Sequence, residues 1–460
     1  MKTRWLVCAV LALFFASSSA ALATVYDTDR SIVRINSGLD GWTTINALCN
    51  LVGCQVLGSL DTLPLSGPTV HSSLFLVQGL PSLDPLSLSL LGVSAVEPDL
   101  LVPLNQATLP GPDGLSQQTP MSYYGTAAWE GYLVQPASGI VRLTDTHCGL
   151  QVTGAGIVAV IDSGIDPGHP TLSPLVTDGW DFTRDVAGGD EMADLQGVVP
   201  VPDGVYRVNQ ASVAVLDQAS VAVLDDGAHA AFGHGTMVAG IVHLVAPTAQ
   251  IMPLKAFHAD GQGYTSDIIR AIYYATWEGA KVLNMSFSSP TASQEMTRAL
   301  DVATNWGGLV AVASVGNDGS TSLVYPAAFD NVMGVASTSN DDTRSSFSNY
   351  GAAQVWVAAP GEGIITTYPW SSYAAGWGTS FSTPFVSGAA ALLVGMEGTA
   401  DYDQLSQAVS HANPLTSDLG YGRLDLYQAV LAGRALWPGA PPSPVPETCS
   451  SLGIDWSAAP

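Results

Sequence analysis

With 460 residues, 47% of them hydrophobic and 12% charged, the chain has material for one large domain or two smaller ones and is not a disordered polymer. Its formal net charge of −25, from 39 acidic against 14 basic residues, excludes nucleic acid and anionic membrane surfaces as partners, because both select basic patches.

The start, Met1-Lys2-Thr3-Arg4, leads into an apolar run from Trp5 to Phe15 and small residues up to Ala23, the pattern of a secretory signal peptide over 1–23. The run is short of the ~20 residues that span a bilayer, so cleavage after Ala23 is expected rather than an uncleaved anchor. No later segment reads as a transmembrane helix, and no stable membrane insertion is expected. Of the five cysteines, Cys8 leaves with the signal, and the remaining four allow three pairings. Closeness in sequence favours Cys49 with Cys54, which leaves Cys148 with Cys449.

Residues 24–105 alternate strand-like stretches (31–35, 54–60, 73–77, 93–102) with helix-like ones (41–50, 84–91), the order of a small α+β, ferredoxin-like split βαβ unit. Residues 106–118 are polar and rich in Pro and Gly, so 106–131 reads as a processing linker followed by the first residues of the next unit. From 132 to 435 strands and helices alternate as a mostly parallel α/β sheet requires, with strands at 157–161 and 308–313 and helices at 267–277 and 294–304. Gly154-Ala155-Gly156 lacks a third glycine and precedes its strand, which argues against a dinucleotide loop. A perfect tandem octapeptide, 210–217 repeated as 218–225, is too short for a solenoid and reads as a strand pair or surface loop, with a substrate-contacting excursion as the alternative. The Pro-rich tail, 436–460, ends the compact region.

Four segments carry chemistry. Asp162 follows the apolar strand 157–161, at the carboxyl edge where open α/β sheets place their sites. His234 sits in Gly233-His234-Gly235-Thr236 and opens a small-residue helix. Ser380 sits in Gly378-Thr379-Ser380-Phe381-Ser382-Thr383-Pro384 at a helix start, where unpaired amides favour an anion and an early Pro384 costs little. Asn317 follows a strand in Ala313-Ser314-Val315-Gly316-Asn317. A serine hydroxyl is a weak nucleophile until an imidazole takes its proton and a carboxylate holds that imidazole in one tautomer.

These four segments, in this order, resemble the signatures of the subtilisin-like serine peptidases, the subtilase family, over roughly residues 120–435. Subtilisin is itself the worked case behind the general rules for such a triad and for an asparagine oxyanion donor. The resemblance implies a three-layer α/β fold and an endopeptidase with Asp162, His234 and Ser380 as triad and Asn317 in the oxyanion hole. It also implies protein or peptide substrates, and a 24–105 propeptide that inhibits its own chain. The substrate walls would be Ser286, Phe287 and Ser288 on one side and Ser314, Val315 and Gly316 on the other. The first wall departs from the family's Ser-Leu-Gly-Gly, and the apolar second wall suits an uncharged P1 side chain. No cofactor is expected for the chemistry; structural calcium, common in the family, is placed by no spacing here. Activity is expected to rise with pH through a group near the ordinary histidine value of about 6.5. A catalytically silent scaffold of the same fold is the alternative reading. An α/β-hydrolase is disfavoured, because it orders its triad Ser, acid, His around Gly-x-Ser-x-Gly.

Overall fold

The structure, a computed structural model, describes residues 29–62, 72–103, 112–195, 213–215, 229, 231–397 and 401–438. The expected signal peptide, residues 104–105 of the N-terminal unit, residues 106–111 of the linker, the second octapeptide copy and the tail beyond 438 lie outside the described residues.

The N-terminal unit runs β1 (Arg30–Ile35), α1 (Gly41–Val52), β2 (Gln55–Ser59), β3 (Leu74–Gln78), α2 (Pro85–Leu90), β4 (Val93–Pro98) and β5 (Leu101–Pro103). Helix α1 starts where the Asp40 carboxylate accepts the Thr43 amide and stops at Gly53, whose φ of 84° suits a residue without Cβ. Strands β1 to β4 form one antiparallel sheet in the order β2-β3-β1-β4, and Val33, Ile35, Phe75 and Val77 of this sheet bury against Ile45 and Leu48 of α1. Cys49 and Cys54 are disulfide-bonded. Cys148 is also disulfide-bonded, to a partner outside the described residues.

The sequence reads 93–102 as one strand, but the chain divides it at Asp99. After β4 leaves the N-terminal sheet, β5 pairs with a strand of the following domain.

That domain begins with the hairpin β6 (Pro120–Tyr123) and β7 (Thr126–Trp129), then α3 (Glu130–Leu133) and α4 (Pro136–Ile140). Leu115, Tyr123 and Ala128 bury in its main core, so the packed body reaches back before residue 132. There follow β8 (Ile157–Asp162), β9 (Trp180–Asp181), β10 (Val186–Ala187), β11 (Val213–Val215), α5 (His234–Val245), β12 (Gln250–Lys255), β13 (Gln262–Tyr264) and α6 (Thr265–Trp277). The rest is β14 (Val282–Met285), α7 (Gln294–Asp301), β15 (Val310–Ser314), β16 (Val332–Thr338), β17 (Val357–Pro360), β18 (Ile364–Tyr368), β19 (Ser372–Gly376), α8 (Thr379–Glu397), α9 (Tyr402–Val409) and α10 (Leu426–Leu436).

Eight strands join in the order β10-β9-β12-β8-β14-β15-β16-β17, parallel except for the pairing of β10 with β9. Both faces are covered, which explains the near-continuous apolar runs in these strands. In β8, Val158 and Val160 face the core shared with α5 and α8, while Ala159 and Ile161 face the core shared with α6 and α7. The same alternation repeats in β14 and β15. The result is three layers, helix, sheet, helix, as the resemblance implies. Helix α8 is long and apolar enough to cross a membrane by composition, but it is almost wholly buried in the core.

Two acidic side chains of the N-terminal unit cap helices of the large domain. Glu97 accepts the Gln294 amide at 3.0 Å at the start of α7, and Asp99 accepts the Ser266 amide and hydroxyl at 2.8 Å each at the start of α6. Both positions satisfy unpaired amides and favour negative charge.

His243 lies fully buried in α5, with Nδ1 2.9 Å from the Tyr132 hydroxyl, which in turn donates to the Gly240 carbonyl at 2.7 Å. Nδ1–H therefore donates, and Nε2 has no partner among the described residues. Burial, with His169 and His147 nearby, pushes this imidazole down to about 3. The unfolded histidine titrates near 6.5, so between these values the unfolded state binds the extra proton, and the stability His243 contributes above 6.5 is lost as pH falls toward 3. Glu191 and Asp267, pushed up to about 7 by burial, act in the opposite sense and mask the slope. The clean measure is a difference: His243→Gln should destabilise at pH 7, and by pH 4 that cost should shrink by ~3 kcal/mol in chemical denaturation.

Candidate active site

Asp162 ends β8, and His234 opens α5; both are buried, and His234 Nδ1–H donates to Asp162 Oδ1 at 2.7 Å. The Ser163 amide donates to the same oxygen at 2.8 Å. The close approach depends on glycines on both sides. A Cβ on Gly235 would sit 2.0 Å from the Gly164 carbonyl oxygen, and Gly233, at φ 92°, faces the Tyr368 ring. Thr236 adds a clamp, its hydroxyl accepting the Asp166 amide at 2.9 Å.

Burial by itself would lower the His234 pKa, but the charge and hydrogen bond of Asp162, with the charge of Glu191, outweigh it and hold the imidazole above its ordinary 6.5. The group that must lose its proton thus titrates above the value expected from sequence. His234 Nε2 is buried without a hydrogen-bond partner among the described residues, and its ring centroid lies 5.6 Å from that of Phe381, the residue after Ser380.

Ser380 is the second residue of α8 and is buried. Its hydroxyl donates to the Ser286 carbonyl at 2.9 Å rather than to His234, while the Ser286 hydroxyl donates to the Ser380 carbonyl at 2.9 Å. The second bond has a cause in the sequence. Pro384 has no N–H to return to the carbonyl four residues earlier, and that carbonyl is Ser380's. Pro384 therefore does leave an acceptor open, contrary to the expectation that its early position costs little, and Ser286 fills it.

Asn317 Oδ1 accepts the Thr379 amide at 2.9 Å and the Thr379 hydroxyl at 3.0 Å. With its oxygen pinned to the residue before Ser380, its amide Nδ2 is the group left to donate. The expected substrate walls extend from the carboxyl ends of the neighbouring parallel strands β14 and β15. They touch, since the Ser314 hydroxyl donates to the Phe287 carbonyl at 3.2 Å. Ser286, Phe287, Ser288, Ser314 and Val315 are all buried, with the Phe287 ring packed 5.0 Å from that of Phe257. Gly316, at φ 90°, faces the Asn349 amide and the Ser288 hydroxyl.

Sequence reasoning missed Ser163, Ser286 as partner of the Ser380 carbonyl, and Glu191. Proline at 384 was a usable signal for the second, because a prolyl nitrogen always frees a carbonyl. No spacing rule could have tied Glu191 to His234. Among the described residues no three His, Cys, Asp or Glu side chains cluster as a metal site.

The family model described as "Subtilase family" matches residues 154–428. The chain is 32% identical over 277 residues to thermitase of Thermoactinomyces vulgaris, covering 59% of this chain and 88% of that protein. It is 42% identical over 170 residues to subtilisin BL of Lederbergia lenta, covering 35% of this chain and 62% of that protein. It is 34% identical over 277 residues to a thermophilic serine proteinase of Bacillus sp. strain AK1, covering 59% of this chain and 61% of that protein. Of the last two relatives the chain therefore spans a little under two thirds of the length.

Gly235→Ala tests the packing that joins the two buried groups. A methyl group against the Gly164 carbonyl must push α5 away from the end of β8, and a displacement of ~1 Å at such a site costs about 10²-fold in rate. Peptide hydrolysis should fall by at least that factor, together with the melting temperature; an unchanged rate would show that Gly235 does not set the spacing.

Proposed function

Since the chain belongs to the subtilase family and is a subtilisin-like serine endopeptidase, we propose that it is exported, is made as a zymogen, and cuts protein or peptide substrates through Asp162, His234 and Ser380. The observation that carries this reading is the buried 2.7 Å bond from His234 to Asp162, which leaves Nε2 without a hydrogen-bond partner among the described residues, with the ring 5.6 Å from that of Phe381, next to Ser380. In the reacting complex the Ser380 hydroxyl turns from the Ser286 carbonyl to His234 Nε2. Its oxygen attacks the substrate carbonyl carbon as the proton passes to Nε2, and Asp162 stabilises the imidazolium. The tetrahedral oxyanion takes hydrogen bonds from the Ser380 amide and from Asn317 Nδ2. Collapse breaks the C–N bond, His234 returns the proton to the leaving amine, and the acyl group stays on Ser380. Water then repeats the sequence and releases the acid. The walls 286–288 and 314–316 take an uncharged P1 side chain, because no charged residue stands in either.

Export rests on the signal pattern of residues 1–23. The propeptide reading is supported by β5, which adds antiparallel to β13 of the large domain, with Leu101 opposite Tyr264 and Pro103 opposite Gln262. This is how an extended peptide binds a sheet edge. Val102 lines a small cavity together with Phe287 and Ser289. Phe287 adjoins Ser286, whose carbonyl holds the Ser380 hydroxyl, so Val102 of β5 lies beside the segment that touches the nucleophile.

Two outcomes test the reading. Asn317→Ala should lower kcat by ~10² to 10³ with little change in KM, since its bond forms in the transition state; a change in KM alone would make Asn317 a turn or binding residue. Mature protein should lack the residues before about Ser116, whereas Ser380→Ala should accumulate as a precursor that retains 24–105. Intact masses from parallel expressions decide this. Equal masses, with 24–105 still attached to an active enzyme, would overturn the zymogen reading and leave the peptidase.

A further inference from the structure

The long excursion between Asp162 and His234 returns one side chain to the space behind them. Glu191 is wholly buried. Its Oε1 accepts the Ser163 hydroxyl at 2.5 Å and the Gly233 amide at 2.8 Å; its Oε2 accepts the Thr236 hydroxyl at 2.5 Å and the Thr236 amide at 3.2 Å. One carboxylate thus ties the first turn of the His234 helix to the residue after Asp162. The Ser163 hydroxyl also accepts the Gly235 amide at 2.9 Å and lies 3.3 Å from Asp162 Oδ1.

A hydroxyl has one proton to give. With Glu191 ionised, Ser163 donates to it, and Asp162 keeps only His234 Nδ1–H and the Ser163 amide, both on Oδ1, while Oδ2 has no partner among the described residues. A carboxylate with fewer donors holds the imidazolium more tightly, so the base is stronger. With Glu191 protonated, its own O–H donates to Ser163. The Ser163 proton then turns to Asp162 and weakens that pull.

We propose that Glu191 is a positioning residue that sets the basicity of His234 through the Ser163 hydroxyl, its ionisation strengthening the base that activates Ser380. This rests on the Asp162, His234 and Ser380 reading above. The charged and titratable groups around it are Asp162, His234, Tyr368 and Lys255. The Lys255 ammonium is already held by the Ser163 and Phe257 carbonyls and Asp194, at 2.7 Å each. Burial carries Glu191 up to about 7, against its bonds from Ser163 and Thr236 and the charge of Lys255. Its negative charge in turn helps hold the His234 imidazole above its ordinary value, so each group acts on the other's protonation.

The test is the rate at which a fluorophosphonate labels Ser380 between about pH 5 and 9, on protein recovered from the medium, with Ser380→Ala as blank. Wild type should show an acid limb with two inflections, one of them near 7. Glu191→Gln should still label at Ser380, but with a single-proton limb moved down by about half a unit or more and a plateau rate roughly 10-fold lower. Superimposable profiles, with only a lower melting temperature in the variant, would reduce Glu191 to a structural buttress. Should Glu191→Gln not accumulate, because the Gly233 amide loses its acceptor, the wild-type profile decides alone: a single inflection overturns the proposal. No labelling at Ser380 in folded wild type would instead sink the triad reading itself, a result distinct from equal profiles.

Discussion

The hydrogen bond from His234 to Asp162 joins the carboxyl end of β8 to the amino end of α5 inside a region closed to solvent. A charge buried this way costs several kcal/mol unless its lone pairs are satisfied, so the surroundings must supply donors at fixed positions. Backbone amides supply about half of these, from Ser163 to Asp162 and from Gly233 and Thr236 to Glu191. Amides are fixed by the fold and need no side-chain ordering. Gly164 and Gly235 serve this directly, letting one backbone approach another at the site.

The same economy appears where α5 and α8 meet. Gly240 packs on Thr366 and Thr367, and Gly388 on Val245, so two helices that begin at His234 and next to Ser380 run close together. The Thr366 and Thr367 hydroxyls donate to α5 carbonyls of Met237 and Thr236. Helix starts concentrate unpaired amides, and a site that must bind a developing oxyanion gains from having one at the nucleophile. The N-terminal unit uses the property in reverse, placing Glu97 and Asp99 on the starts of α7 and α6. These contacts tie the N-terminal unit to the large domain through charge-assisted hydrogen bonds.

Much of this was legible in the chain. The apolar runs 157–161 and 308–313 read as strand candidates, and the parallel sheet places both in its interior. Helix 267–277 and the opening of α7 near Gln294 were legible from the alternation of strand and helix patterns, and in the fold Ser293 accepts the Met296 amide. The long 93–102 strand was misjudged, because its split at Asp99 answers to the large domain rather than to local pattern. The rotamer of Ser380 was equally invisible, since a contact with Ser286 spans 94 positions.

The sequence by itself determined which chemistry was available: a carboxylate after a strand, an imidazole and a serine at helix starts, and an amide in a turn, each flanked by residues small enough to permit close approach. Local pattern suffices for that, because strand, cap and turn preferences are set by neighbours in the chain. Tertiary structure alone decided which oxygen each donor meets. It brought Glu191 behind Asp162 across the long excursion, turned the Ser380 hydroxyl to Ser286, and set β5 on the edge of β13. Those pairings depend on distances between elements far apart in sequence, and only the packed sheet and its two helical layers fix such distances.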